Sequence, residues 1–222
     1  MPRIFSILRA RSLAAAWIVM LATTLSAVSA AAATPAETFV QQNVQRGLTI
    51  LNNHGIPDAQ RRSEFRDFLT SLTDIRRIAE FTLGAARRTA TTDQVEAFVD
   101  AFRDYAVSVY EARLIQYSGQ SLKVTGSTER APGDYVVDTV LVDPNGKTSG
   151  QEPIRVDFRV VTSGGKFVVI DASIAGVWLA IEERDQFTAF LQQNNGNVPA
   201  LTTHLEDLAT QLRNGGARPP SH

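Results

Sequence analysis

Three histidines, His54, His204 and His222, and no cysteine are all that this 222-residue chain offers to nucleophilic, redox or metal chemistry. Covalent catalysis needs a serine or cysteine beside a base that a third group orients. No Gly-x-Ser-x-Gly occurs, and His222 lies in the C-terminal tail. His54 precedes Gly55 at the end of a helical pattern, where a cationic side chain favours the last carbonyls. His204 falls off the Leu201, Leu205, Leu208 stripe and reads as a solvated helix residue. Without His-Glu-x-x-His or a grouping of histidines and carboxylates at ligand spacing, no catalytic residue, metal or cofactor is expected. Asp171 is the one acid inside the apolar run Phe167 to Ile174, and strict alternation puts it on a face with Phe167, Val169 and Ser173. It is the candidate for a buried carboxyl, though a structural partner, an arginine or a backbone amide, is the commoner reason for such a residue. Glu182, Glu183, Arg184 and Asp185 read as a solvated helix face.

The elements that would position these groups follow from caps and periods. Thr34-Pro35-Ala36-Glu37 combines a capping residue, a proline at the first helical position and a glutamate three after the cap. Val40, Val44, Leu48 and Leu51 continue that helix to about Asn52-Asn53. A second helix carries Phe65, Phe68, Leu69 and Leu72, and Asp74 caps a short one through Ile75, Ile78 and Ala79 to Leu83-Gly84. Thr91 and Gln94 form a capping box that opens the longest helix, striped by Val95, Phe98, Val99, Phe102, Tyr105, Ala106 and Val109 before Tyr117-Ser118-Gly119.

The period then switches from 3.6 to 2 over Ser121–Glu129, Tyr135–Val142, Ile154–Val161 and Phe167–Ile174. In the third run Ile154, Val156, Phe158 and Val160 alternate with Arg155, Asp157 and Arg159, which predicts one dry face and one wet face. Turns at Pro132-Gly133, Asp143-Pro144-Asn145-Gly146 and Ser163-Gly164-Gly165 make the runs an antiparallel meander. Two helices close the pattern, about Val177–Asn194 and one opened by Asn197 with Val198, Leu201, Leu205, Leu208 and Leu212. The fold class is α+β, with N- and C-terminal helices on one face of an antiparallel sheet of four to five strands.

Arg3, Arg9 and Arg11 followed by the short apolar run Leu13–Leu25 and small residues to Ala33 read as a signal peptide cleaved between residues 30 and 33. The rival, an uncleaved anchor, requires a longer apolar run of about 18 to 20 residues. Removing residues 1–33 takes away three arginines and no acid, so a formal charge of −1 becomes −4. An acidic body is a poor nucleic-acid binder. Residues 34–213 are expected to form one domain and 214–222 a disordered tail, in the periplasm, with burial in place of disulfides.

With catalysis poorly supported, the apolar faces become the candidate site. The stripe Phe98, Phe102, Tyr105, Val109 and Tyr110 faces the sheet residues Tyr135, Val137, Val156, Phe158 and Val169, with Trp178 beside the last strand. Taken alone such aromatics are usually core, yet the tyrosines bring polar ends suited to an apolar ligand with a polar head.

The order Phe81-Thr82-Leu83-Gly84, Gln94, Phe98, Phe102, Tyr110, Leu114, Tyr117-Ser118-Gly119, Gly165-Lys166-Phe167-Val168-Val169-Ile170-Asp171, Ile174, Gly176, Val177, Leu179, Arg184 and Phe187 resembles the MlaC or toluene-tolerance family of periplasmic lipid carriers. The resemblance covers nearly all of the mature length. It implies a monomeric shuttle with a lipid-sized cavity between its helices and a curved sheet, which encloses phospholipid and exchanges it with membrane lipid-transport complexes of the inner and outer membrane, as an auxiliary component of an ABC transporter that maintains outer-membrane lipid asymmetry. The family commonly has tryptophan where Phe167 stands, serine where Trp178 stands and tyrosine where Glu183 stands. These departures resemble the hopanoid-associated HpnM branch, which would make the cargo a pentacyclic hopanoid. Two other readings stay open: a lipid-modifying enzyme using Asp171, and an adaptor that docks through Glu182–Asp185 and carries nothing.

Overall fold

Each helix-start signal in the sequence is realised by a hydrogen bond. The computed structural model describes residues 32–114, 119–143 and 153–215. Helix α1 (Pro35–Leu51) opens on a full capping box: Thr34 Oγ1 accepts from Glu37 N, and the Glu37 side chain accepts from Thr34 N. Ser127 of the sheet donates to Glu37 Oε1 at 2.7 Å, so the same cap fastens α1 to the strands. Helix α2 (Asp58–Leu72) presses Phe68 against Gly47 of α1, where an added Cβ would stand 3.2 Å from the ring. Asp74 accepts from Arg77 N to start α3 (Ile75–Leu83), and a 3-10 turn (Gly84–Arg88) leads to α4 (Thr92–Leu114). There Thr91 and Gln94 exchange cap hydrogen bonds as their spacing predicts.

The strands are β1 (Ser121–Ala131), β2 (Asp134–Val142), β3 (Arg155–Ser163), β4 (Lys166–Ile174) and β5 (Val177–Trp178), antiparallel neighbours in sequence order. Ala175 and Gly176, both at positive φ, turn β4 into β5 as a two-residue hairpin requires. Helices α5 (Leu179–Gln193) and α6 (Val198–Arg213) complete an α+β fold of six helices on a five-stranded sheet. Among the described residues no helix is long and apolar enough to cross a membrane. Residues 1–31 of the leader, Tyr117-Ser118, the turn residues 144–146, and residues 216–222 of the tail lie outside the described residues.

Three details differ from strict alternation. Strand β3 begins at Arg155, and Ile154 is left exposed while its carbonyl accepts from Leu141 N. Asp157, placed by alternation on a wet face, is buried, because its row on that face continues through Ser173 to Trp178 of the extra strand β5. A register shift opposite Arg159/Val160 pairs Val169 with Val160 but Asp171 with Arg159 and Ala172 with Phe158. Asp171 and Ser173 therefore do not continue the face of Phe167 and Val169; Ala172 does.

The apolar interior falls into two clusters. Phe98, Phe102, Phe187, Leu201 and Leu205 anchor a helical core of α3 to α6, with Phe98 and Phe102 meeting Phe187 edge-on at 6.0 and 6.3 Å. Ala36 and Val40 of α1 pack on Val137, Val160 and Val169 of the sheet in the other.

Candidate functional site

Among the described residues, two apolar cavities lie between helices and sheet. The first, of about 180 Å³, lies among the end of α2, the start of α3, the middle of α4, strands β3 and β4, and the first turn of α5. The second, of about 430 Å³, lies among α1, α2 and strands β1 to β4. Leu69, Leu72, Tyr110, Phe158 and Val169 line both, so the two share a wall.

Their position follows from the local structure. The α2–α3 junction is fastened to the sheet where Asp74 N donates to Val169 O at 3.2 Å, which holds Leu69 and Leu72 over Phe158. Gly47 sits in the wall of the second cavity, between Val44 and Leu48 of the apolar α1 stripe. That cavity is lined by apolar side chains with Asn43, Gln120 and Ser121 as the polar exceptions besides Tyr110. In the first, Thr70 and Thr73 commit their hydroxyl protons to Arg66 O and Leu69 O of their own helix. Neither cavity is lined by lysine, arginine or histidine.

The acids of the first cavity are Asp171 and Glu183. Asp171 Oδ1 accepts from Ala172 N at 2.8 Å and from Ala180 N at 3.0 Å, so it caps α5 from the neighbouring strand, Trp178 having no capping side chain. This is the backbone-partner role that its place in an apolar run allowed. Burial pushes the Asp171 carboxyl above the usual carboxylate range, opposed by the two amides and by Arg159. Glu183 lines the cavity and accepts from Tyr105 Oη at 3.1 Å, which corrects its reading as part of a solvated face. Arg184 beside it stacks over the exposed Phe81 ring at 4.9 Å, and Asp185 is exposed.

Of the residues expected to line a pocket, Phe102, Tyr105, Val109, Tyr110, Val156, Phe158 and Val169 line one or both cavities. Phe98, Tyr135, Val137 and Trp178 line neither. Phe98 is fully buried in the helical core, one turn before the first cavity-lining residue of α4, Phe102. Val137 is covered by α1, and Tyr135 packs edge-on against Phe167 at 6.0 Å. Trp178 stands beside Ser173 in the row of Asp157, on the far face of the sheet. Leu69, Leu72, Ile75, Ile78 and the α1 residues Val40, Val44, Leu48 and Leu51, whose spacing marks helix stripes, also line the cavities, as does Phe39, which the periodicity does not single out. His204 is exposed and stacks on Phe190 at 4.7 Å, and His54 is exposed with Arg61 3.4 Å from its Nδ1. Among the described residues no group of histidines and acids could hold a metal ion.

The model of the MlaC protein family matches residues 41–207. Among solved structures, the phospholipid-binding protein from Ralstonia solanacearum, determined in complex with a phospholipid, is similar with a TM-score of 0.68. The two are 24% identical, and the match covers 81% of this chain and 99% of that one. At that identity the likeness is one of fold.

Proposed function

This chain belongs to the MlaC protein family, and from that premise we propose that it is a periplasmic carrier that encloses the tails of a lipid between its helices and its sheet. The observation that carries the reading is the pair of adjoining, nearly hydrocarbon-lined cavities that share Leu69, Leu72, Tyr110, Phe158 and Val169. Family membership points to a binding protein rather than an enzyme, and Asp171 already serves α5 as its cap. The neighbour solved with a phospholipid supports a phospholipid cargo. The resemblance to the hopanoid-associated branch makes a pentacyclic cargo the narrower form of the same reading.

Physically, each methylene taken from water contributes about 0.8 kcal/mol, so lipid tails enter such cavities without help and leave slowly. Unloading then needs a partner that favours the open, empty state. We assign that role to membrane lipid-transport complexes, with residues 1–33 as the export signal, 34–213 as the monomeric carrier and 214–222 as its tail. Seven of the expected contact residues, Phe102, Tyr105, Val109, Tyr110, Val156, Phe158 and Val169, remain the proposed lipid contacts. Native mass spectrometry of protein purified from the periplasm, with lipid extraction of the same sample, tests this. A stoichiometric lipid supports the carrier and distinguishes phospholipid from hopanoid. Bare protein that also fails to reload from vesicles refutes it.

A further inference from the structure

The polar lining of the first cavity narrows the cargo, an inference that rests on the lipid-binding reading above. Asp171 and Glu183 lie close together: Asp171 accepts from the amide of Ala180, and Glu183 is three residues on from Ala180, one turn along the same helix face. Both hydrogen bonds of Asp171 use Oδ1, and Oδ2 accepts none from the described residues. Of the other polar groups there, the threonines donate to helix carbonyls and Tyr105 donates to Glu183, while Tyr110 adds a hydroxyl. The lining therefore holds two carboxylates and no cation.

We propose that this end of the cavity takes the hydroxylated end of a neutral lipid, which donates to Asp171 Oδ2, and turns away an anionic end. A hydrocarbon end placed there would leave the carboxylate without the water or donor it needs. A phosphate or carboxylate would meet two like-charged groups in a low-dielectric space, with Arg159 behind Asp171 but no cation in the cavity lining itself. Burial already raises the Asp171 carboxyl against the pull of two amides, the direction expected of a group that has given up water and gains from a donor. A phospholipid is then held by its tails, with its phosphate outside both cavities.

Three probes that share one carboxylate head and one chain length test the proposal: hexadecanoic acid, ω-hydroxyhexadecanoic acid and hexadecanedioic acid. Delipidated full-length protein is titrated with each and bound ligand read by native mass spectrometry. A purely hydrocarbon pocket binds the ω-hydroxy acid more weakly than the plain acid. The proposal predicts the opposite order, with the ω-hydroxy acid about tenfold tighter, as a hydrogen bond to a charged group supplies, and the diacid weakest. In Asp171→Asn, checked for folding by its thermal transition, the advantage of the hydroxyl and the penalty of the diacid both shrink. If the ω-hydroxy acid binds no better than the plain acid, the polar subsite is refuted while the carrier reading stands. An order unchanged in Asp171→Asn removes Asp171 from the subsite. Failure of all three to bind overturns both readings.

Discussion

Filling the first cavity from its floor separates lipid carriage from folding. Ala172 lies on the cavity face of β4 directly across from Phe158, and its amide, which serves Asp171, is unaffected by a change of side chain. In Ala172→Phe the new ring points into about 180 Å³ of empty space rather than into packed core, and phenylalanine suits a strand. A ring burying about 150 Å² displaces about five methylenes of cargo, at about 0.8 kcal/mol each. The expected loss is about 4 kcal/mol, close to three powers of ten in affinity. Steric cost in a full core would be about 1 to 3 kcal/mol, and the void should reduce it to less than 1. Lipid loading from vesicles and the melting temperature of empty and loaded protein measure the two effects side by side. The empty variant should melt within a few degrees of the empty parent, and the rise on adding lipid should largely vanish. Ala189→Phe, on the exposed side of α5, controls for added hydrophobicity. Loading within threefold of the parent, with the fold intact, would refute the reasoning, because the cavity would then not be where tails lie.

Phe98→Ala is expected to behave in the opposite way, costing about 3 to 5 kcal/mol of stability in urea unfolding while each folded molecule still carries lipid, since Phe98 packs on Phe187 and lines neither cavity. Thr34→Ala removes the capping box and its tie to Ser127 and should cost about 1 kcal/mol, read as a lower urea midpoint with an unchanged slope. Two carboxylates give opposite pH responses. Asp134, held below the usual range by Arg159 at 2.7 and 3.1 Å, contributes stability that is present above about pH 4 and lost as pH falls through its folded pKa, so Asp134→Asn should cost about 1 kcal/mol at pH 7 and nothing in strong acid. Asp171, raised by burial, contributes stability that is full below about pH 4 and lost as pH rises through its folded pKa, so Asp171→Asn should gain on the parent as pH increases; a flat difference between pH 3 and 8 would contradict the assignment.

What the sequence made legible was local. Thr34 with Glu37, Asp74, and Thr91 with Gln94 each satisfy amides within three residues, so the cap is written where it acts. The strand pattern was equally readable until a non-local event changed it. One extra residue in β4 opposite Arg159/Val160 turned Asp171 toward α5 and put Ala172 over the cavity, and no period within β4 announces that. The burial of Asp157 depends on β5, only two residues long and formed by a turn at Ala175-Gly176. Glu183 is a different kind of miss. It lies three residues after Ala180 and four before Phe187, both buried, so the helical period alone put it on the inward stripe and its charge argued otherwise. The split of the α4 stripe into core at Phe98 and cavity wall at Tyr105 and Val109 is invisible to periodicity, since a face turned to packed side chains and one turned to a void have the same spacing.

That last distinction explains why an apolar void can persist in a protein whose cores are otherwise filled. The helical cluster of α3 to α6 and the cluster of α1 on the sheet pack separately, and only their margins, Phe102, Tyr105 and Val109 of the first and Val40 and Val169 of the second, face the space between them. Across that space run specific polar links: Asp74 N to Val169 O from the α2–α3 junction, and Ala180 N to Asp171 from the start of α5. They fix the spacing of the two clusters without filling it. A cavity wall of Leu69, Leu72, Phe158 and Val169 lacks partners on one side and forgoes their dispersion energy. Lipid tails restore it, so cargo acts as the missing layer between two finished cores. Loading should then stabilise the protein as a whole rather than order one loop, and a partner that parts the clusters by breaking those few links could empty the carrier without unfolding either.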